Sequence, residues 1–132
     1  MKKILINLKS IVLVSLICFN ITRISAQENA LWLRYPAISP DGKTIVFSYK
    51  GNLYKVDAGG GAAAALTVGS SHSTMPVWSK DGQSIAFANN RNGNFDVFVV
   101  PSSGGKATRL TYNSANDYPY DFTTDNKQVI FG

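Results

Sequence analysis

His72 is the only histidine in the chain, and Ser70, Ser71 and Ser73 stand beside it. A hydroxyl next to an imidazole is the minimal ingredient of nucleophilic acyl transfer, with the serine oxygen attacking and the ring nitrogen taking its proton. That chemistry also needs a carboxylate to orient the ring and donors, held on rigid structure, for the oxyanion. The stretch 68–74, VGSSHST, has no nucleophile turn and reads as a solvated crossover. No Gly-x-Ser-x-Gly elbow, phosphate-cradling glycine loop, His-Glu-x-x-His helix or paired cysteine occurs. The sequence therefore nominates no catalytic, cofactor-binding or metal-binding residue, and no cofactor.

The carboxylates follow a different logic. Asp41, Asp81 and Asp125 recur 40 and 44 residues apart inside matching stretches, Ser39-Pro40-Asp41-Gly42-Lys43, Ser79-Lys80-Asp81-Gly82-Gln83 and Thr123-Thr124-Asp125-Asn126-Lys127. An aspartate there can accept from a nearby backbone N–H, and Gly or Asn takes the positive-φ position, so turn geometry explains them without acid–base work. Asp57, Asp96, Asp117 and Asp121 are scattered. Asp96 matches Asn52 at the start of a third strand, again a structural place. Tyr54, Trp78, Phe98 and Phe122 fall at repeat positions and read as core before they read as ligand-stacking rings.

The elements around these turns repeat with them. Each turn is followed by an apolar run, Ile45-Val46-Phe47, Ile85-Ala86-Phe87 and Val129-Ile130-Phe131. A second run follows, Leu53 to Val56 and Val97 to Val100, then a glycine turn, then Leu66-Thr67 and Leu110-Thr111. The larger spacing arises where Ser48–Gly51 becomes the longer Ala88–Asn94, a hairpin tip where insertions cost least. Inner strands are expected over Arg34–Ile38, from Met75 to Trp78 and from Pro119 to Phe122. The run Ala62–Ala65 reads as a weakly specified outer edge strand. A period of this length with four strand-like runs is the pattern of a propeller blade, and apolar residues on both faces suit a blade packed between two others. A β-sandwich with evenly spaced hairpins is the competing architecture. The expectation is an all-β chain forming a partial β-propeller: two four-stranded antiparallel blades, at 31–67 and 75–111, and the start of a third at 118–132, where the chain stops partway through the copy.

The first 26 residues stand apart. Lys2, Lys3 and Lys9 precede an apolar core from Ser10 to Ile21 that is short for a bilayer span, and Ile24-Ser25-Ala26 ends it with small residues. This predicts a signal peptide at 1–26, cleaved before Gln27, with an uncleaved anchor as the alternative. Ile17 before Cys18 argues against a lipoprotein site. The whole chain has 13 Lys and Arg against 8 Asp and Glu, but four of those bases lie in the first 26 residues with no acid. The remainder is close to neutral, so the basic balance belongs to export and does not imply a nucleic-acid partner. Cys18 leaves with the signal, so no disulfide framework remains in an oxidising compartment.

Residues 35–132 resemble the propeller repeats of TolB, of dipeptidyl-peptidase and prolyl-oligopeptidase propellers, and of tricorn-like proteases. The resemblance is carried by Val77 to Gly82, Ile85 to Phe87, Asp96 to Val99, and Gly104-Gly105 followed by Leu110-Thr111. The narrower similarity is to the start of bacterial tricorn-like serine peptidases, through an export signal followed at once by Leu33-Arg34-Tyr35-Pro36, then Asn94 to Val97 and Leu110-Thr111-Tyr112. TolB proteins usually carry a separate domain before the propeller. The resemblance implies an exported propeller, in the periplasm or cell envelope, that gates or binds peptides or proteins for PDZ-like and serine-peptidase domains further along the parent. None of that family's catalytic positions falls in these residues, so the chain by itself is expected to hydrolyse nothing. A non-enzymatic TolB-like propeller binding envelope proteins, and the propeller of a dipeptidyl-peptidase-like hydrolase, are the alternatives. Lys80 in place of Pro, Asn126 in place of Gly and the alanine run depart from the usual repeat. Unpaired blade faces at either end would also invite self-association of an isolated chain into homo-oligomers.

Overall fold

The structure is a computed structural model that describes residues 32–132; the expected signal peptide, residues 1–26, lies outside the described residues. Ten strands follow in order. The first sheet holds β1 (Arg34–Ile38), β2 (Thr44–Tyr49), β3 (Asn52–Asp57) and β4 (Ala64–Ala65). The second holds β5 (Ser73–Trp78), β6 (Ser84–Asn89), β7 (Asp96–Pro101) and β8 (Thr108–Arg109). The third pairs β9 (Pro119–Phe122) with β10 (Val129–Phe131). Every pairing is antiparallel and joins neighbours in sequence, so the chain is an all-β partial propeller of two four-stranded blades and a two-stranded third. The strands β1, β5 and β9 contact one another in turn and form the inner edge of the arc.

The blades repeat the same strand pairing. Phe47 pairs with Tyr54 and Phe87 with Phe98, and these rings stack at centroid distances of 6.1 and 5.9 Å. The alanine run does form the outer strand β4, only two residues long and exposed, as its poor β propensity would dictate. One core crosses the blade boundary, from Val46, Leu53 and Leu66 to Trp78, Ile85, Phe87, Phe98 and Val100. Blade two lies between two neighbours and its β6 is buried on both faces from Ile85 to Asn89, whereas Ile130 and Phe131 in β10 stay 51% and 47% exposed.

Polar groups also fasten blade to blade. The Trp78 indole N–H donates to the Ala37 carbonyl at 3.0 Å, and Ser48 Oγ donates to the Ser73 carbonyl at 2.7 Å. Lys55 Nζ donates to the Ser102 carbonyl at 2.8 Å, and Lys80 Nζ sits 2.6 Å from Asp121 Oδ1.

The structure starts the second inner strand two residues earlier than the apolar pattern does. Ser73 and Thr74, read from sequence as crossover, are buried in β5. Ser73 N–H donates to the Gly51 carbonyl at 2.8 Å and its hydroxyl accepts from Asn89 Nδ2 at 2.9 Å, so partners from both blades satisfy a polar strand start.

Candidate functional site

The two ends of each blade carry different chemistry. At one end lie the turns with the recurring aspartates. Ser39, Ser79 and Thr123 each donate their hydroxyl to the aspartate two residues on, at 2.6 Å in all three copies. The same aspartate oxygen accepts the N–H of Lys43, Gln83 or Lys127 at 3.0–3.2 Å. The hydroxyl oxygen accepts the N–H five residues on, from Thr44, Ser84 or Gln128. Gly42, Gly82 and Asn126 close the turn at φ of 73°, 71° and 59°. Donation from these hydroxyls first, and from the backbone second, holds the carboxyls of Asp41, Asp81 and Asp125 below their ordinary value. A cleft of about 790 Å³ opens between blades one and two at this end, lined by Lys55, Trp78, Lys80 and Asp81 among others. Its two lysines are already committed to Ser102 and Asp121, and its aspartates Asp41, Asp57 and Asp81 to their own turns, so these charged groups serve the fold.

The opposite end carries the β2–β3 and β6–β7 tips and the crossovers between blades. His72 lies here, exposed. The hydroxyls of Ser71 and Ser73 accept from Asn89 Nδ2 at 3.0 and 2.9 Å and are thereby occupied in holding the crossover. Asn90 clamps His72 through its backbone, accepting the His72 N–H at 2.7 Å. The imidazole instead meets the Phe95 ring edge-on at 6.3 Å. The structure therefore assembles no serine–histidine–carboxylate array around His72 from the described residues.

What it assembles there is an aromatic cleft of about 380 Å³. Phe95, at the end of the β6–β7 tip, and Tyr118, at the end of the crossover into blade three, lie 5.5 Å apart and tilted at 36°. Tyr35 and Met75 line the same cleft from β1 and β5. Both are bulge residues: the register shifts between Arg34 and Ala37 and between Thr74 and Val77, and both take positive φ, 52° and 51°. A bulge with a left-handed residue costs on the order of 1 kcal/mol and re-aims the side chain beside it. Here it turns Tyr35, 48% exposed, toward the cleft. The third inner strand has Pro119 near this place, whose ring locks φ negative, and no positive-φ residue occurs in β9.

Two cations border the cleft from blade one. The Arg34 guanidinium lies 5.9 Å from the Trp32 ring centre, and Lys50 Nζ lies 5.2 Å from that of Tyr49. Among the described residues no Asp or Glu lines it. Among those residues there is also no cluster of three His, Cys, Asp or Glu placed to hold a metal ion.

Tyr35, Phe95 and Tyr118 are not recognisable from the sequence as members of one site. Their signal was present: each stands at the edge of an apolar run, immediately before Pro36, Asp96 and Pro119, at the end of the blade away from the aspartate turns. What made them a set was the folding of three blades around one axis.

Comparison with known proteins agrees with this architecture. The family model of the tricorn protease N-terminal β-propeller domain matches residues 30–132. The uncharacterized peptidase YuxL of Bacillus subtilis is 30% identical over 64% of this chain and 14% of its own length. Tricorn protease homolog 1 of Streptomyces coelicolor is 31% identical over 61% of this chain and 7% of its own. The structure of a putative TolB from Agrobacterium tumefaciens, 24% identical, superimposes with a TM-score of 0.67 over 75% of this chain and 37% of its own; that likeness speaks for the fold alone. The chain thus spans only a small part of the relatives it matches.

Proposed function

The chain belongs to the tricorn protease N-terminal β-propeller domain family, and from that membership we propose that it is the propeller segment of an exported tricorn-like serine peptidase, binding peptides for a protease domain further along the parent chain. The family match over residues 30–132 carries this reading. The aromatic cleft supports it with a surface that suits peptide side chains. Its rings lie on the face of the blades that bears tips and crossovers, beside the inner strands, where a peptide entering a propeller would pass.

The described residues have a positioning role in this scheme. Tyr35, Phe95 and Tyr118 offer flat apolar faces to side chains, and the hydrolytic groups belong to the parent's other domains. Peptide-hydrolysis kinetics on the full-length protein test this. Tyr35→Ala and Phe95→Ala should raise KM with kcat little changed, the signature of lost ground-state binding. A full-length protein that binds envelope proteins and cleaves no peptide would instead support the TolB-like reading.

Export is part of the proposal. The charged start and short apolar core before Gln27 support cleavage by a signal peptidase. N-terminal sequencing of protein recovered from the cell envelope should begin at Gln27; a retained Met1 would favour an anchor.

A further inference from the structure

The cleft is polarised, and the polarity points to a particular peptide. Its blade-one side carries Arg34 and Lys50, whose charges already lie near the Trp32 and Tyr49 rings. Its far side is the Phe95–Tyr118 pair, without a charge. No carboxylate among the described residues balances the two cations within the lining. Lys50 is placed by the backbone as well as by its own chain length: it sits at φ 47° at the β2–β3 tip, next to Gly51 at φ 83°. Arg34 is the register partner of Ser48 in β2, so both cations come from the same end of one hairpin.

Resting on the peptide-binding reading above, we propose that this cleft selects an internal acidic–aromatic peptide segment, with its Asp or Glu beside Arg34 and Lys50 and its aromatic side chain against Phe95 and Tyr118. The rings supply an apolar surface that rewards an aromatic side chain. The two cations set the sign of the neighbour: a basic residue there meets like charge, an acidic one meets charge that no carboxylate among the described lining residues neutralises. At about 0.5–0.7 kcal/mol for each partly exposed pair, two of them discriminate by about fivefold to tenfold over a neutral residue.

The test is fluorescence anisotropy of short peptides on the full-length protein, each acetylated and amidated so that no terminal charge remains. The set holds Glu, Gln or Lys beside a tryptophan, and a Glu peptide with alanine in its place. The Glu–Trp peptide should bind tightest, about fivefold to tenfold over Gln–Trp and further over Lys–Trp, with the advantage shrinking as salt is added. Lys50→Asn, which keeps a residue at ease in the left-handed region, should collapse the Glu-to-Gln ratio toward one. Equal binding of Glu and Gln peptides, or a ratio unmoved by Lys50→Asn, overturns the acidic selection while leaving peptide binding standing. A Glu–Trp peptide with a free C-terminus is added for comparison, and binding that appears only with it overturns the internal-segment form. If no peptide binds, both this inference and the functional reading beneath it fall.

Discussion

The Lys80 backbone N–H donates to Asn126 Oδ1 at 2.6 Å, across the boundary from blade two to blade three. One boundary earlier the same place is held by Pro40, which has no N–H, and it faces Gly82, whose Cβ would stand 3.7 Å from Pro40 Cδ. Gly82 and Asn126 occupy the same left-handed turn position. Each boundary is therefore a matched pair: a free N–H meets a side-chain acceptor, and a proline meets a glycine.

Coupling within that pair is measurable. Asn126→Gly relieves a left-handed non-glycine residue but removes the acceptor of the exposed Lys80 N–H, and should cost roughly a few tenths to 1 kcal/mol net. In a Lys80→Pro background the same change should cost nothing or stabilise slightly. Lys80→Ala is the control, since it removes the ion pair with Asp121 and keeps the N–H. Equilibrium denaturation of the four combinations yields the coupling energy, and additivity would contradict the pairing.

Arg109 guards a buried charge. Its Nη2 lies 2.8 Å from Asp96 Oδ2, and the Asp96 side chain has no exposure at all. No well-aligned hydrogen bond reaches either Asp96 oxygen, so the guanidinium is its main compensation among the described residues. Arg109→Ala should destabilise by about 3 kcal/mol, because an unpaired buried carboxylate costs far more than a surface pair contributes. Adding Asp96→Asn should recover much of that loss, as blade one already uses Asn52 at this position. Urea midpoints of the single and double variants decide it.

Acid should loosen the turns. Hydroxyl donation lowers the carboxyls of Asp41, Asp81 and Asp125, and Lys80 lowers that of Asp121, all from an ordinary value of 3.8. The folded state then binds fewer protons than the unfolded one, so these contributions are whole above 3.8 and fade as the pH falls below it toward the lowered values. Melting temperatures should show this loss below about pH 4. Ser79→Ala should weaken the Asp81 share of the acid sensitivity. A loss that sets in near neutrality would assign the transition to other groups.

Order should be uneven in the 132-residue chain when it is alone. Ile85, Phe87, Val97 and Val100 are fully buried, while Tyr120, Ile130 and Phe131 are about half exposed. Fully burying one such apolar side chain contributes about 1.5–3 kcal/mol, against roughly 5–15 kcal/mol for a whole small domain. Hydrogen exchange should find the slowest amides in β6 and β7 and the fastest in β10, with self-association through exposed strand edges. Uniform protection in a cooperative monomer would show that two and a half blades need no ring.

What the sequence determined alone is whatever a blade builds from residues close in the chain. The turns needed only a hydroxyl, an aspartate two places on and a residue tolerant of positive φ, so three copies announced themselves by spacing. The strand runs and hairpins followed from the same local pattern, and with them the propeller. Tertiary structure decided what joins one blade to the next, because those partners lie about 20 to 47 residues apart in sequence and obey no local period. Lys80 and Asn126 read along the chain as two separate departures from the repeat; folded, they are one hydrogen bond. Asp121 reads as a polar intruder in an inner strand, and packing gives it Lys80. Ser73 and Thr74 read as loop until they pair with Asn89 and Ala88 of β6 and blade one bonds Ser73. The cleft is of the same kind: Tyr35, Phe95 and Tyr118 stand in different repeat positions on three blades, and only their convergence around the axis makes them one surface.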